Sequence, residues 1–196
     1  MLTVSALTKL YFDKVVFSDY DICLDQDRLL ITGSNGQGKS TLFALLAGLE
    51  SMQSGAIKLN GTEQSQAALQ QKIAIASDKL IFPEFLTAEQ VLDLTAKYCS
   101  CHNQTALIEK LGFAPYLSTR VDNLSSGNLK KLQLINAFMR QSEVLLLDEP
   151  TAALEHKSLS VLLSLIREYQ GQVLLTCHEP DDFLAEGFKE QALNNV

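Results

Sequence analysis

Short apolar runs alternate with segments of helical periodicity along most of this chain. The runs Arg28–Thr32, 144–147 and Gln172–Thr176 are apolar at most positions and are bounded by glycine or polar residues. Such runs are typical of parallel strands that are buried on both faces. Apolar residues at helical spacing fill 41–48, after the first run, and 158–169, after the second. The pattern therefore predicts an α/β core with a buried parallel sheet.

The beginning and the middle of the chain have different patterns. Apolar and polar residues are interleaved between 15 and 22, and turn residues follow, so we expect short strands over the first thirty residues. From 85 to 138 the periodicity is mostly helical. Thr87 is a candidate N-cap for one helix, and further helices are predicted over 105–111 and 129–139.

The length of 196 residues fits one domain. We expect a single unit over 1–196. Its α/β core is predicted over 1–80 and 141–196, and a helical subdomain is predicted over 81–140. The boundary between them follows the change from alternating strands and helices to continuous helical periodicity.

Charge and hydropathy exclude several classes of function. Sixteen Lys and Arg against 23 Asp and Glu give a net charge of -7, and no local basic patch is found, so we expect no nucleic-acid partner. No apolar run approaches the roughly 20 residues that span a bilayer. The start of the chain does not have the pattern of a secretion signal. We therefore expect a cytoplasmic location.

The four cysteines give one candidate metal cluster. Cys99, Cys101 and His102 are three soft ligands within four residues. Their spacing is not that of a zinc site, and no second pair completes four ligands. We therefore predict free thiols, with metal binding as the alternative.

A glycine-rich segment carries the strongest chemical signal. Residues 33–40 read Gly-Ser-Asn-Gly-Gln-Gly-Lys-Ser and fit the pattern G-x-x-x-x-G-K-[ST] at every fixed position, between a predicted strand and a predicted helix. The backbone N–H groups and the positive end of the helix would then face one centre, which suits phosphate. Lys39 is expected to reach the β- and γ-phosphates and Ser40 to bind Mg²⁺. The predicted nucleotide-binding residues here are Gly33, Ser34, Asn35, Gly36, Gln37, Gly38, Lys39, Ser40 and Thr41.

Two carboxylates at the end of a later strand complete the predicted site. Asp148 and Glu149 directly follow the apolar run 144–147. The carboxyl ends of parallel strands meet at one edge of a sheet, where the phosphate loop also lies. Asp148 is predicted to bind Mg²⁺, and Glu149 is predicted to polarise the attacking water.

Residues 124–128, Leu-Ser-Ser-Gly-Asn, resemble the L-S-G-G-Q signature of ATP-binding cassette (ABC) ATPases. The order of phosphate loop, helical insertion, signature and carboxylate strand is similar to that family over nearly the whole chain. The resemblance implies a P-loop NTPase fold of ABC type, with a mostly parallel sheet and an antiparallel N-terminal part. It also implies ATP and Mg²⁺ as ligands, and two nucleotide-binding domains paired head to tail. Ser125, Ser126, Gly127 and Asn128 would then contact the ATP that the partner's phosphate loop holds.

Two further residues are assigned through the same resemblance. Tyr11 matches the aromatic residue that stacks on adenine; the alternatives are that it is a core aromatic or that Phe12 takes this role. His178, after the last predicted strand, resembles the switch histidine that contacts the γ-phosphate, so His178 and Glu149 are the predicted catalytic pair.

This sequence departs from the family pattern at several positions. Ser126 replaces a glycine and Asn128 a glutamine in the signature, and Glu155 stands where the family usually has aspartate. Asp78 occupies the place of the glutamine that senses Mg²⁺ and the membrane subunit. Aspartate can bind Mg²⁺, so Asp78 joins Ser40 and Asp148 as a predicted Mg²⁺ residue.

The resemblance implies the ATP-hydrolysing subunit of an ABC transporter. Its expected partners are integral membrane permease subunits and a second nucleotide-binding domain, as a homodimer or heterodimer, at the inner face of the cell membrane. One alternative is a catalytically weak partner in a heterodimeric ABC ATPase. Others are the heme-exporter ATPase of cytochrome c maturation and a non-transport ABC protein of DNA repair or translation. The sequence does not indicate the cargo.

Overall fold

A computed structural model describes residues 1–12, 14–99, 101, 103–140 and 142–194 of this protein. Of the alternative metal cluster, His102 lies outside these residues. In the part of the chain that is described, no group of three or more His, Cys, Asp and Glu side chains could hold a metal ion. The described cysteines form no disulfide with one another, and their state as free thiols stays a prediction.

The first and the last elements of the described residues are strands. In chain order they are β1 (Leu2–Tyr11), β2 (Lys14–Leu24), β3 (Arg28–Thr32), β4 (Ser54–Leu59), β5 (Thr62–Glu63), β6 (Ile73–Ala76), β7 (Val144–Asp148), β8 (Gln172–Thr176) and β9 (Lys189–Ala192). The α-helices are α1 (Lys39–Leu46), α2 (Gln66–Lys72), α3 (Ala88–Tyr98), α4 (Gln104–Lys110), α5 (Ser126–Phe138), α6 (His156–Glu168) and α7 (Asp181–Ala185). Short 3₁₀ helices cover Ala114–Tyr116 and Val121–Asn123. No helix of the described residues is long and apolar enough to cross a membrane.

The strands form two sheets of different kinds. An antiparallel sheet has the order β2-β1-β4-β5, and a parallel sheet has the order β6-β7-β8-β3-β9. The strands β1 and β2 are 10 and 11 residues long, so the prediction of short strands at the start of the chain is wrong. Antiparallel pairing along nearly their whole length, through several irregularities of register, supports this length.

Four strands of the parallel sheet, β3, β6, β7 and β8, send side chains into two cores. Leu30, Leu145 and Leu175 lie in the core on one face, whereas Ile31 and Leu146 lie in the core on the other. Successive side chains of a strand point to opposite faces, so a strand buried on both faces must be apolar throughout. This explains the continuous apolar runs and confirms the predicted parallel sheet.

The two cores have different partners. One face of the parallel sheet packs with α1 and the antiparallel sheet, through residues that include Phe17 and Phe43. The other face packs with the helices that lie between β6 and β7 and with α6, through residues that include Phe113 and Leu162. Successive side chains of β7 point to opposite faces of the sheet, so Asp148 lies on the same face as Leu146. This is the face that α1 covers.

Helix boundaries follow local capping. Thr87 caps α3 as predicted, and the Gln90 side chain accepts from the Thr87 N–H to complete a capping box. The helix predicted over 129–139 begins earlier, at Ser126, because the Ser125 hydroxyl accepts from the Asn128 N–H. The helices predicted over 105–111 and 158–169 also begin one or two residues earlier than expected.

Candidate functional site

The segment 33–40 forms a loop between β3 and α1. Gly38 is the N-cap of α1 and has a φ of 98°. This left-handed backbone conformation is favourable for glycine and costs free energy in residues that have a Cβ atom. No side chain of the described residues caps this helix, so its first N–H groups are available to a bound anion. The Lys39 ammonium donates to the carbonyl oxygens of Gly33 and Ser34, at 2.6 and 3.1 Å. The loop therefore combines free N–H groups with a fixed positive charge.

The loop forms one wall of a cleft of about 440 Å³. The other walls bring together residues that are far apart in sequence. The residues that line the cleft are Tyr11, Lys14, Val16, Asn35, Gly36, Gly38, Lys39, Ser40, Thr41, Glu149 and His178. Most of the predicted loop residues and both predicted catalytic residues thus share one cavity of a size suited to a small molecule.

Asp148 is fixed by hydroxyl groups from both neighbouring strands. Ser77 Oγ donates to Asp148 Oδ2 at 2.8 Å, and Thr176 Oγ1 donates to Oδ1 at 2.7 Å. All three side chains are buried. The strands β6 and β8 flank β7, so parallel register places these three residues side by side at the carboxyl end of the sheet.

The surroundings of Asp148 fit Mg²⁺. The residue is only 6% exposed, and none of the ion pairs among the described residues involves it. A buried carboxylate without a cation is energetically costly. Mg²⁺ favours carboxylate and hydroxyl oxygens, and Ser40 at the start of α1 offers a hydroxyl on the same face of the sheet. Asp148 and Ser40 are therefore the residues suited to hold the ion.

Glu149 is placed by an unusual backbone conformation. Its φ is 47°, in the left-handed region that is uncommon for residues other than glycine. Its N–H donates to the Thr176 hydroxyl at 3.0 Å and to the Thr176 carbonyl at 3.1 Å. The Glu149 Oε1 atom lies 3.6 Å from Nε2 of His178, whose ring is mostly exposed. This turn directs the carboxylate into the cleft, next to His178, while Asp148 stays buried.

Tyr11 lies at the end of β1, beside the phosphate loop. Its hydroxyl donates to Glu50, and the ammonium groups of Lys9 and Lys79 lie 4.6 and 5.7 Å from its ring centroid. Burial and the bond to Glu50 raise the pKa of Tyr11 to about 12. Tyr11 lines the cleft, and its contact with the base stays a prediction. Phe12 is fully exposed and is not among the described residues that line the cleft, which disfavours Phe12 in that role.

Asp78 has a protein partner that the sequence analysis did not predict. Its carboxylate accepts from Lys130 Nζ at 2.8 Å, and it is Ser77 that contacts Asp148. The Asp78 side chain is otherwise largely exposed. A role for Asp78 at Mg²⁺ stays a prediction, with Lys130 as the competing partner for its charge.

The signature residues lie at the start of α5 and outside the cleft. Ser125 is the N-cap, and Ser126, Gly127 and Asn128 form the first turn, but none of these is among the described residues that line the cleft. Gly127 packs against the loop after β7: a Cβ at this position would lie 2.7 Å from the Ala153 carbonyl oxygen. Ala153 itself is left-handed, with φ 61°. Contact between the signature and ATP held by a partner stays a prediction.

Sequence analysis missed three residues of this region. Ser77 and Thr176 hold Asp148, and Lys130 is a buried lysine of α5 that pairs with Asp78. Two signals were available: polar residues at the carboxyl ends of apolar strands, and a lysine on the otherwise apolar face of a helix. Neither signal identifies a partner, because partners depend on strand register and helix packing.

Comparisons with known proteins agree with this site. The sequence model of the family described as ABC transporter matches residues 19–152. The Phosphonates import ATP-binding protein PhnC 1 of Ruegeria sp. (strain TM1040) is 30% identical over 89% of this chain and 77% of that protein. The Energy-dependent translational throttle protein EttA of Haemophilus influenzae is 28% identical over 91% of this chain, which spans only 32% of that protein.

A solved structure described as the ATP binding subunit of an ABC transporter has the same fold. Its TM-score is 0.83 at 25% identity, over 100% of this chain and 86% of that one. The predicted ABC type of P-loop fold is thereby confirmed. The family match spans the phosphate loop, the signature and both carboxylates, which are the elements that the cleft and its surroundings display. The chain therefore belongs to the ABC transporter family, as an ATP-binding domain of the ABC ATPase type.

Proposed function

We propose that this chain is the ATP-hydrolysing subunit of a transporter and powers substrate movement through separate membrane subunits. One observation carries the proposal: Lys39, Ser40, Glu149 and His178 line a single cleft, with the buried carboxylate of Asp148 beside it. These residues supply a cation for phosphate, oxygens for Mg²⁺ and a carboxylate for a water molecule. The cleft is thus equipped for phosphoryl transfer to water.

The residues divide the reaction between them. The loop N–H groups and Lys39 hold the phosphates, and the Glu149 carboxylate orients a water molecule and accepts its proton. The water oxygen attacks the γ-phosphorus as the bond to the β–γ bridging oxygen breaks, which releases ADP and phosphate. When bound, Mg²⁺ neutralises charge on the phosphate oxygens, and Asp148 and Ser40 are the residues that would hold it. His178, 3.6 Å from Glu149, is placed to orient the carboxylate or contact the terminal phosphate.

A complete site needs a second chain in this proposal. The signature helix α5 begins at an exposed turn, away from the cleft of its own chain. The positive N-terminal end of α5 is free to meet phosphate bound by another copy. We therefore expect a dimer that closes on ATP and reopens after hydrolysis, in which Ser125 and Gly127 act on the partner's nucleotide.

A second groove, separate from the cleft, suits a membrane subunit. It has a volume of about 350 Å³ and lies between β6, the loop after it and α3, with Leu80, Phe82, Leu94 and Tyr98 among its lining residues. Tyr98 is 76% exposed, and Ile81 and Phe85 nearby also leave large apolar surfaces uncovered. Exposed apolar patches mark interaction sites. We propose that a helix of an integral membrane permease packs here, which would place the chain at the inner face of the membrane.

The ATPase assignment is tested with Glu149→Gln. The isolated chain is expected to hydrolyse MgATP, and the variant is expected to bind ATP but to lose most hydrolysis, because amide groups do not accept the proton. Purification from its own cells in mild detergent tests the transport assignment. A multi-span membrane protein recovered in stoichiometric amount supports transport, whereas recovery of soluble partners alone after full solubilisation of the membranes contradicts it.

A second candidate function is a catalytically weak partner in a heterodimeric ABC ATPase. The observation in its favour is that Asp78 pairs with Lys130 instead of facing Asp148, together with the altered Ser126 and Asn128 of the signature. Light scattering of Glu149→Gln with MgATP separates the two functions. A stable homodimer supports the first, and a persistent monomer supports the second. The heme-exporter and non-transport alternatives stay predictions, and the partner proteins recovered in the purification distinguish them.

A further inference from the structure

Three polar residues lie side by side at the carboxyl ends of the central strands. Asp148 of β7 is aligned with Thr176 of β8, and Ala76 of β6 is aligned with Leu147, so the next residue, Ser77, reaches the level of Asp148. Ser77 and Thr176 have no exposed surface. The rest of these strands is almost entirely apolar, so two buried hydroxyl groups at this level need a reason, because burial of a hydroxyl is unfavourable without hydrogen bonds.

The hydrogen bonds have a fixed direction. A carboxylate can only accept, so Ser77 and Thr176 each donate their single hydroxyl hydrogen to Asp148. The Thr176 oxygen then accepts from the Glu149 N–H at 3.0 Å. A single hydroxyl group therefore connects the carboxylate suited to Mg²⁺ with the backbone of the residue suited to activate water.

This connection matters because of the backbone of Glu149. A left-handed φ of 47° costs free energy in a residue with a side chain and must be held by its surroundings. The Thr176 side chain supplies one of the two bonds that hold the Glu149 N–H, and the Thr176 carbonyl supplies the other. Loss of the hydroxyl leaves a buried Asp148 oxygen without that donor and weakens the hold on the turn.

We propose that Ser77 and Thr176 are positioning residues for ATP hydrolysis: Ser77 fixes Asp148, and Thr176 fixes Asp148 and the Glu149 turn together. The proposal rests on the proposed function, since it concerns the same reaction. It assigns the two residues separable effects. Ser77 acts on the affinity for Mg²⁺, and Thr176 acts on that affinity and on the hydrolytic step.

The test uses Thr176→Val, Thr176→Ser and Ser77→Ala, with Tyr169→Phe as the matched control. Tyr169→Phe also removes a half-buried hydroxyl that bonds to Ser142, but at the opposite end of the sheet, before β7 begins. For each protein we measure kcat and KM for MgATP, the Mg²⁺ concentration at half-maximal rate, and the fluorescence of bound mant-ATP with EDTA and with Mg²⁺. Thermal unfolding reports whether each variant folds.

We expect kcat of Thr176→Val to fall about 10- to 100-fold, with a higher Mg²⁺ requirement and unchanged mant-ATP affinity in EDTA. Thr176→Ser keeps the hydroxyl and should restore most of the rate. Ser77→Ala should raise the Mg²⁺ requirement with a smaller loss of kcat. Tyr169→Phe should alter stability alone.

Three results would overturn the proposal: wild-type kcat and Mg²⁺ dependence in Thr176→Val, equal damage in Thr176→Ser and Thr176→Val, or an unchanged Mg²⁺ requirement in Ser77→Ala. If Thr176→Val does not fold, the serine and Ser77 variants decide. If the wild-type chain binds ATP but does not hydrolyse it, the proposed ATPase fails by itself. Positioning is then judged by the Mg²⁺ dependence of mant-ATP binding, and equal dependence in wild type and Ser77→Ala overturns it.

Discussion

The ammonium group of Lys130, almost fully buried in α5, pairs at 2.8 Å with the exposed carboxylate of Asp78. Asp78 follows β6 and Lys130 belongs to the signature helix, so the pair connects the segment after β6, which includes Ser77, to the helix that Ser125 caps. In the sequence, Asp78 is a departure from the family glutamine. The structure supplies a reason for an acidic residue here, because a buried lysine needs a counter-charge.

Removal of the Asp78 charge should destabilise the fold through Lys130. We expect Asp78→Asn to lower the free energy of unfolding in urea by about 1 kcal/mol, a moderate value because water screens the exposed carboxylate. In a Lys130→Met background the same change should have little effect. Glu168→Gln, which removes the exposed pairing with Lys110, is the control and should leave the free energy of unfolding almost unchanged, because water screens this pair. An equal cost of Asp78→Asn in both backgrounds would show that the two charges are not coupled.

Gly127→Ala should destabilise the fold although alanine is the better helix former. In an ordinary helix interior this change gains about 1 kcal/mol. Here the new Cβ would lie 2.7 Å from the Ala153 carbonyl oxygen, which belongs to backbone and has to shift. We expect a net loss of about 1 to 3 kcal/mol in chemical unfolding. The neighbouring exposed Ser126→Ala is the control and should be nearly neutral; a more stable Gly127→Ala protein would contradict the packing described for the signature.

Lys39→Ala should weaken nucleotide binding. The ammonium is held inside the loop by two carbonyl oxygens and provides its fixed positive charge. Loss of a charge-assisted bond to phosphate is worth about 1.5 to 3 kcal/mol, or roughly 10- to 150-fold in Kd for mant-ATP. Lys14→Ala, a second lysine that lines the cleft outside the loop, should have a smaller effect. Equal mant-ATP affinity of the wild type and Lys39→Ala would contradict the assignment of the loop to the nucleotide-binding site.

Glu50 should make the stability of the protein sensitive to acid. Burial acts to raise the pKa of the Glu50 carboxyl, but hydrogen bonds from Tyr11, Lys9 and Lys79 outweigh burial and leave this pKa below its ordinary 4.5. A lowered pKa in the folded state stabilises the fold above pH 4.5, and this contribution is lost as the pH falls through the folded value.

Glu50→Gln should therefore lower the melting temperature clearly at pH 7 and much less at pH 3. The measurement is a series of thermal melts of both proteins across this range. A melting difference that does not change with pH would show that the Glu50 charge contributes nothing.

Cys177 should resist alkylation. Burial raises the pKa of its thiol to about 12, and the carboxylates of Glu149, Glu190 and Glu179 add to this. The thiolate is the reactive form, so very little of it is present at pH 8. Mass spectrometry after brief treatment with iodoacetamide should find label on the exposed Cys23 and almost none on Cys177. Rapid labelling of Cys177 in the folded protein would contradict its environment.

The sequence predicted best where burial alone decides the structure. The bounds of β3 and β8 are those predicted, because a strand covered on both faces is apolar until it leaves the sheet. The strand Lys189–Ala192 was missed because its sequence, Lys-Glu-Gln-Ala, is polar and its place at the sheet edge needs no apolar pattern. The early start of α5 was missed because Ser-Gly-Asn are weak helix formers that a cap and tertiary packing hold in place.

In the candidate site, too, local patterns were predicted and contacts set by tertiary packing were not. The glycine loop and the two carboxylates were predicted because each is a local motif whose spacing determines its geometry. The partners of Asp148 and Asp78 were not, because they come from strands and a helix far away in sequence. Strand register and helix packing bring these partners together. Neither register nor packing leaves a short motif in the sequence from which the partners could be predicted.

The order of strands in the parallel sheet fixes the distance between the phosphate loop and the carboxylates. The phosphate loop follows β3 and the carboxylates follow β7, and β8 lies between these two strands. Two strand intervals correspond to about 10 Å. This spacing is set by backbone hydrogen bonds, so no side-chain substitution within the strands can widen or narrow it. A version of this protein adapted to a larger or smaller nucleotide would have to change its loops, and the sheet would keep the interval between phosphate and carboxylate constant.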